Sequence, residues 1–525
     1  MNLRFLRTIY FSFCAVALLL CTNCKAQESV VWKDYKRAKK NGTEPILPDF
    51  SYSGYKYSEV EIPYVDYKTF DVTHFGAIAN DTLSDKEAIK KAILEAKKNG
   101  KGVIYFPKGK YYINTEADDE SIIKINASNI VFRGEDKANT ILFFEKDLPP
   151  SNPDKLWSCP NAIQVSTNKK NTVLTTIVSD SKRETHTIEV KNASKIKKGD
   201  WIVLEVLNNS KDLINYDLGA LKPEKKWKSL LEKGVKVNEH HQVAEVNNNT
   251  ISLVSPIHYD IQSKHHWTVS SFEHVNHTGF ENLTFQGNWL KKFVHHRSAQ
   301  DDGGWSILKI SKAVDSWVKD CMFKDVSNGV SFSSSASCTA LNVTIEGNYG
   351  HSAMHASGST GILMANINDV AGMHHSIGVG GGSTTGTVIW RSKYASHTSF
   401  ESHASQPRCT LFDNVEGGFF QGRAGGAVQN LPNHGKYLVL WNFKETDEPE
   451  TDFRFVATDT WYWRMVPPII VGFHGAGTTF KKDEVQIIES LGNPVQPESL
   501  FEEQLKLRLG KLPKWIIDIK NNKKN

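Results

Sequence analysis

Short apolar runs recur along the second half of the chain at a nearly constant interval, with polar turns between them. The runs 280–285, 321–325, 341–345, 362–366, 388–391 and 411–414 each hold a few large apolar residues, and Gly, Ser, Asn and Asp crowd the stretches between them. Cys321 and Val343 are 22 residues apart, as are Ile389 and Leu411. Runs this short are strands rather than helices, and a fixed period of this size is the mark of a solenoid. One coil cannot bury its apolar face alone, so the coils must stack. The segment 436–445 reads as the last of them.

The first half is patterned differently. Residues 70–72 read as a short strand. Ser84 and Glu87 then form a capping box. Ala88, Ile89, Ala92, Ile93 and Ala96 follow at helical spacing, and Asn99-Gly100 ends the helix. Strands are expected at 103–106 and 111–113 around a Pro107–Gly109 turn, and a second coil at 129–134 and 140–144. Residues 165–270 lose the coil rhythm. The runs 187–190, 201–207 and 250–254 read as antiparallel strands of a β-rich insertion, a small barrel projecting from the coils. Residues 27–68 read as an irregular N-terminal extension, with Pro45, Pro48 and Pro63. Ser499 with Glu502 opens a final helix, and Pro513-Lys514-Trp515 ends the ordered chain before a frayed Lys/Asn tail. The expected organisation is therefore a leader (1–26), the extension (27–68), the first coils with their helix (69–164), the insertion (165–270), the central and C-terminal coils (271–498) and the C-terminal helix and tail (499–525).

Phe75-Gly76-Ala77, Asp85, Ala88 and Ala92, followed by the unbroken run from Gly102 to Tyr111 (GVIYFPKGKY), resemble the opening of the pectate-lyase-like superfamily. That resemblance implies an all-β fold, a right-handed parallel β-helix, with the amphipathic helix covering the open first coil. The physical logic agrees, because an unpaired strand edge must be covered. The segments 402–418 and 425–443 resemble a bacterial β-helix family catalogued as a domain of unknown function. The functional relatives suggested are the ulvan lyases of polysaccharide lyase family 40. Resemblance to that group implies endolytic β-elimination on a sulfated rhamnose–uronic acid polymer. It supplies no residue roles, so the candidate site rests on the residues themselves.

Charge and cysteines narrow the compartment and the partner. Arg4 and Arg7, the apolar stretch 11–20 and Cys24-Lys25-Ala26 before Gln27 read as a signal peptide, too short to span a membrane comfortably. An alternative is a lipid-anchored Cys21 or Cys24, although Leu18-Leu19-Leu20 is a poor lipobox. No integral membrane span is expected elsewhere, so the protein is read as secreted, periplasmic or at the cell surface. The formal net charge is +5; the leader holds three of the bases and no acids, which leaves the remainder near +2 and argues against nucleic acid as partner. Cys159, Cys321, Cys338 and Cys409 match no zinc spacing and read as small buried apolar residues rather than disulfides. The expected partner is an acidic polysaccharide, bound by a monomer.

The histidines supply the candidate chemistry. Eight of 19 lie between 295 and 403, while the only carboxylates from 326 to 412 are Glu346, Asp369 and Glu401. β-Elimination at a uronate needs a base for the proton beside the carboxylate, a cation or donor for the charge that develops there, and an acid for the leaving oxygen. Glycoside hydrolysis needs two carboxylates flanking one bond, for which Asp301, Asp302 and Asp413 are the best candidates. Within 387–423, Arg391 and Lys393 are expected to share one strand face. Tyr394, His397 and His403 fall on the following loop, and Arg408 leads into the next strand. With His374 and His375, which precede the glycine-rich stretch 378–382, the catalytic candidates are His374, His375, Lys393, Tyr394, His397, His403 and Arg408. His295, His296, Arg297, His355, Arg391 and Arg423 are the candidates for substrate binding, and Arg and His suit sulfate as well as carboxylate. No metal or other cofactor is expected, with calcium as the lesser alternative; His295, His296, Asp301 and Asp302 offer ligand types for an ion, but adjacent histidines in extended chain point in different directions. Calcium, used by some lyases of the superfamily, wants clustered carboxylate oxygens that this region lacks. A hydrolase and a non-catalytic glycan-binding surface protein remain as alternatives, since fold alone does not set function.

Overall fold

Successive short strands are dealt in rotation onto three parallel sheets. This is the architecture of the computed structural model, which describes residues 27–419, 425–457 and 464–522. Among the described residues, the first sheet has 12 strands, the second nine and the third seven. In each, a strand pairs in register with its counterpart one coil away, as Trp317 with Thr339 and Thr339 with Leu363 in the first sheet. The result is a parallel β-helix. Register sets the core: like positions stack, so Ile104, Phe132 and Phe280 form a column, with the Phe132 and Phe280 ring centroids 5.2 Å apart. Phe285 and Phe323 stack at 4.9 Å in the next column. The coils do not stop at 436–445, as the sequence suggested; Ile469–Val471 and Ile487–Glu489 add two more rungs. Their apolar runs are shorter and the segments between them longer, which hides the period.

From Asn282 onward, the turn from the first sheet to the second carries a left-handed residue in each coil. Asp320, Asn342, Asn366, Asn414 and Asn442 take it with φ of 48–56°, a conformation that Asn and Asp tolerate because their short polar side chains bond locally. Asn366 donates to Asn342 Oδ1 at 2.8 Å, and Asn342 to Asp320 Oδ1 at 2.9 Å. Arg391 occupies this same turn position, with φ 49°.

The helix Lys86–Lys98 buries Ala88, Ile89, Ala92, Ile93 and Ala96 against the first coil. The expected capping box does not form. Asp85 takes the cap position, with its carboxylate accepting from Ile78 N and Tyr112 N, and Glu87 pairs outward with Lys90. The extension is not irregular throughout: Val30–Asn41 is a helix. It joins the C-terminal helices Leu500–Leu509 and Lys514–Asn522 in one apolar cluster with Trp317, Leu363, Trp390, Leu411 and Trp441 on the outer face of the first sheet. Ser499 caps the first of those helices, accepting from Glu502 N. The tail beyond Pro513 is helical because Trp515 and Ile516 are buried in that cluster. Cys321, Cys338 and Cys409 are buried and free, and Cys159 is free and half-buried.

The insertion is a six-stranded antiparallel sheet with its own core. It lies on the coils rather than standing away from them. His240 N donates to Thr360 Oγ1 at 3.0 Å and Lys236 N to Gln406 Oε1 at 2.8 Å, and Ala404, Leu431 and Val466 enter its apolar cluster.

Candidate functional site: a histidine patch on the third sheet

The third sheet stacks Ser306–Ser311, Asn328–Ser333, Ser352–Ser357 and His375–Gly380, then Glu401–Ser402. Its inward rows are apolar: Leu308, Val330, Met354 and Ile377, then Ile310, Phe332, Ala356 and Val379. Between them a row of the opposite parity runs Lys309, Ser331, His355, Gly378, Glu401, one residue per rung. The adjacent row, Ser311, Ser333, Ser357 and Gly380, is made of small residues. It leads to His403, whose N–H donates to Val379 O at 2.8 Å. Rungs are spaced about 4.8 Å apart, so these rows form an outward strip along the solenoid axis, here called the trench, with His355 midway along it and Glu401 and His403 at one end.

Histidines crowd the turns at the edge of this trench. His351 and His374 lie just before their strands, and the long loop from 287 to 303 adds His295 and His296. Two buried carboxylates pin the loop. Asp302 accepts from His296 N (2.9 Å) and His296 Nδ1 (2.6 Å), while its carbonyl accepts from His351 Nδ1 at 2.8 Å. Asp301 accepts from Arg297 Nη2 (2.6 Å) and from Ser298 Oγ (2.5 Å). Phe293 packs under the patch, 5.6 Å from the His374 ring and 6.0 Å from the His351 ring. The imidazoles are close neighbours: His295 to His374 is 4.2 Å, His374 to His375 4.7 Å and His351 to His375 5.1 Å between centroids. The Tyr349 hydroxyl and His374 Nδ1 are hydrogen-bonded at 3.0 Å.

Burial favours the neutral form of His351, His355, His375 and His403. It pushes His355 down to about 4, and holds His351, His375 and His403 below the ordinary histidine range, with neighbouring histidines adding to the shift. Glu401 moves the other way: burial raises it to about 8, so it carries its proton at neutral pH. His403 Nδ1 lies 2.6 Å from the Ala404 carbonyl. A carbonyl only accepts, so Nδ1 holds the proton and Nε2 the lone pair. His403 and Glu401 face each other across a glycine. A Cβ on Gly425 would lie 2.7 Å from His403 Cδ2 and 3.1 Å from Glu401 Oε1.

The structure therefore gathers His295, His296, His351, His355, His374, His375 and His403, with Arg297 at the rim. His397 is exposed at the edge, 6.2 Å from the Tyr349 ring. Four other candidates are placed elsewhere. Arg391 is not on a strand with Lys393; the left-handed turn sends it outward from the first sheet, where it pairs with Glu498 and Glu502. Lys393 then falls on the second sheet, exposed and 3.5 Å from Glu416. Tyr394 is buried in the coil and donates to Gly418 O at 3.1 Å. Arg408 is buried against Asp217 of the insertion at 3.3 Å. Arg423 lies outside the described residues. Asp413, a hydrolase candidate, accepts from Ser499 Oγ, Leu500 N and Phe501 N at the start of the C-terminal helix. Glu401 and Lys309 were missed as site residues. Their signal was the period, since counting one rung at a time from His355 reaches both.

Two family models match parts of the chain. Residues 69–197 match "Rhamnogalacturonase A/epimerase, pectate lyase-like", and residues 372–519 match a domain of unknown function (DUF4955). No curated protein matches. Similar solved structures include the Gp54 tailspike of Acinetobacter baumannii bacteriophage AP22 in complex with A. baumannii capsular saccharide, at 14% identity and TM-score 0.45. That match covers 77% of this chain and 63% of the tailspike. The tailspike gp49 from Pseudomonas phage LKA1 matches at 13% identity and TM-score 0.46, over 78% and 72% of the two chains. The A-module of the Azotobacter vinelandii mannuronan C-5 epimerase AlgE4 matches at 11% identity and TM-score 0.35, over 81% and 92%. The chain thus carries a pectate-lyase-like segment within a parallel β-helix.

Proposed function

We propose that the protein is an exported polysaccharide lyase that cleaves a uronate-containing, sulfated polysaccharide of the ulvan type by β-elimination. One observation carries the reading: a neutral imidazole with a defined Nε2 lone pair, His403, faces a carboxyl group that stays protonated at neutral pH, Glu401, at the end of an open trench. His403 Nε2 takes the proton beside the uronate carboxylate. Charge moves into that carboxylate and must be met there by a cation or a strong donor, while Lys309, four rungs along the row, is placed to meet an acidic sugar further along the polymer. The bond from the neighbouring carbon to the glycosidic oxygen breaks, a carbon–carbon double bond forms, and Glu401 gives its proton to the departing oxygen. Leader-like residues 1–26 support export. No helix among the described residues is long and apolar enough to cross a membrane.

A hydrolase is less well supported. Asp301 and Asp302 are each tied to loop partners and Asp413 caps a helix on another sheet, so these three do not flank one bond. The test is incubation with ulvan, alginate and pectate while following absorbance at about 235 nm, where the unsaturated product of proton abstraction beside a carboxylate absorbs. A rise on one polymer supports the lyase and names its substrate. New reducing ends without that rise move the case to hydrolysis, and binding without either product leaves a glycan-binding protein.

A further inference from the structure

Within the histidine patch, His295, His374 and His375 present ligand nitrogens that all lie within 4.8 Å of one another. A tetrahedral site with metal–nitrogen distances of about 2.0–2.1 Å needs nitrogens about 3.3 Å apart, a closure of up to about 1.5 Å. His375 is 7% exposed, and its Nδ1 is buried without a hydrogen-bond partner. An unsatisfied polar atom in a native interior calls for an explanation. We propose that these three imidazoles bind a divalent transition ion of the zinc class, leaving an open coordination position beside the trench. Two surrounding groups suit that role. Tyr349 Oη holds His374 Nδ1 at 3.0 Å, and Glu401 Oε1 lies 3.6 Å from His375 Nδ1. The Tyr349 contact directs Nε2 of His374 to the ion, the arrangement in which outer oxygen partners orient metal-ligating histidines, while the unpartnered Nδ1 of His375 is the nitrogen left for the ion on that ring. The loop carrying His295 is anchored by Asp301 and Asp302, so the third ligand is held in place rather than delivered by a free chain.

The donor set defines the ion. Imidazole nitrogens suit zinc, cobalt, nickel and copper, whereas calcium takes six to eight oxygens. Three protein ligands with an open position are the pattern of a catalytic rather than a structural zinc site. The open position would take a carboxylate oxygen of a uronate, neutralising the charge that elimination builds up; this last assignment rests on the lyase reading, and the ion site itself does not.

The full chain, stripped with a chelator, is dialysed against zinc or cobalt(II); bound ion is measured by elemental mass spectrometry, and the cobalt form by its visible absorption. Stoichiometric ion with the intense bands of low-coordinate cobalt is expected. His375→Ala and His295→Ala each abolish it, while His403→Ala keeps it. Because His295 is on a loop, its variant should melt with the wild type, which separates lost ligation from lost folding. Substoichiometric ion in the wild type, or ion retained in both ligand variants, overturns the site. Elimination activity that survives chelation in a chain without bound ion overturns the uronate assignment at the open position and leaves the lyase standing. Stoichiometric ion without any unsaturated product supports the site and removes the lyase.

Discussion

Whether a charged side chain is available for chemistry depends on what already holds it. Lys393 and His403 are ten residues apart and looked equivalent in the sequence. One is exposed and paired with Glu416, while the other is half-buried, neutral and aimed into the trench. His403→Ala is therefore expected to lower the elimination rate by about 100-fold or more, with an unchanged melting temperature, whereas Lys393→Ala leaves the rate near wild type. Initial rates at 235 nm and thermal melts of the two variants check both halves of the claim. Arg408 tests the opposite case. Its guanidinium and Asp217 are both about 2% exposed or less. Arg408→Met strands a buried carboxylate and should cost about 3–5 kcal/mol, and adding Asp217→Leu should recover much of it. Denaturant unfolding of the single and double variants gives the answer. The histidine excess was legible in the sequence; which arginines were already paired was not, because their partners lie more than 100 residues away.

At the level of the coil, the register decides what each position faces. Gly378 continues the row of His355 and Glu401, and a Cβ there would meet Glu401 O at 2.0 Å. The glycine stretch thus lets a neighbouring backbone approach closely. Gly378→Ala must push the Glu401 rung outward. Lower thermal stability and a larger loss of elimination rate than Gly381→Ala are expected, since a Cβ on Gly381 finds 3.2 Å to its nearest neighbour. Coil spacing, the helix over the first coil and the Ser499 cap could all be read locally. The Arg391 turn could not, because an arginine in a left-handed position breaks the Asn pattern that marks the other coils.

Over the whole molecule, burying many histidines makes stability depend on pH. His434 is fully buried between Thr410 and Gly435, and burial takes it down to about 4. Its folded value is depressed, so the unfolded chain binds a proton below about 6.5 that the folded chain refuses. Its contribution is complete above that pH and lost as the pH falls toward 4, a change of about 3 kcal/mol. His240, taken down to about 3, acts in the same sense. Asp413 and Glu445, raised to about 7 by burial, act oppositely: they favour the fold in acid and lose that contribution as pH rises from about 4 to 7. Comparing His434→Gln with wild type isolates one term. The variant should be less stable at about pH 7.5, and the gap should narrow steadily toward about pH 4.5. Denaturant midpoints across that range measure it, and a gap that stays constant would mean that His434 does not titrate as its burial requires.

The sequence by itself determined the solenoid, its period, the helix over its first coil, the place of the antiparallel insertion and the concentration of histidines, because each is a local pattern of apolar, turn and chemical residues. Only the tertiary structure decided which of those residues meet. Parallel pairing joins positions one coil apart, and the 287–303 loop and the buried Asp302 bring His295 and His296 onto strands that follow 50 to 80 residues later. A site assembled across rungs is written in the register of the coils, and that register is fixed by the packing of the core columns rather than by any one segment.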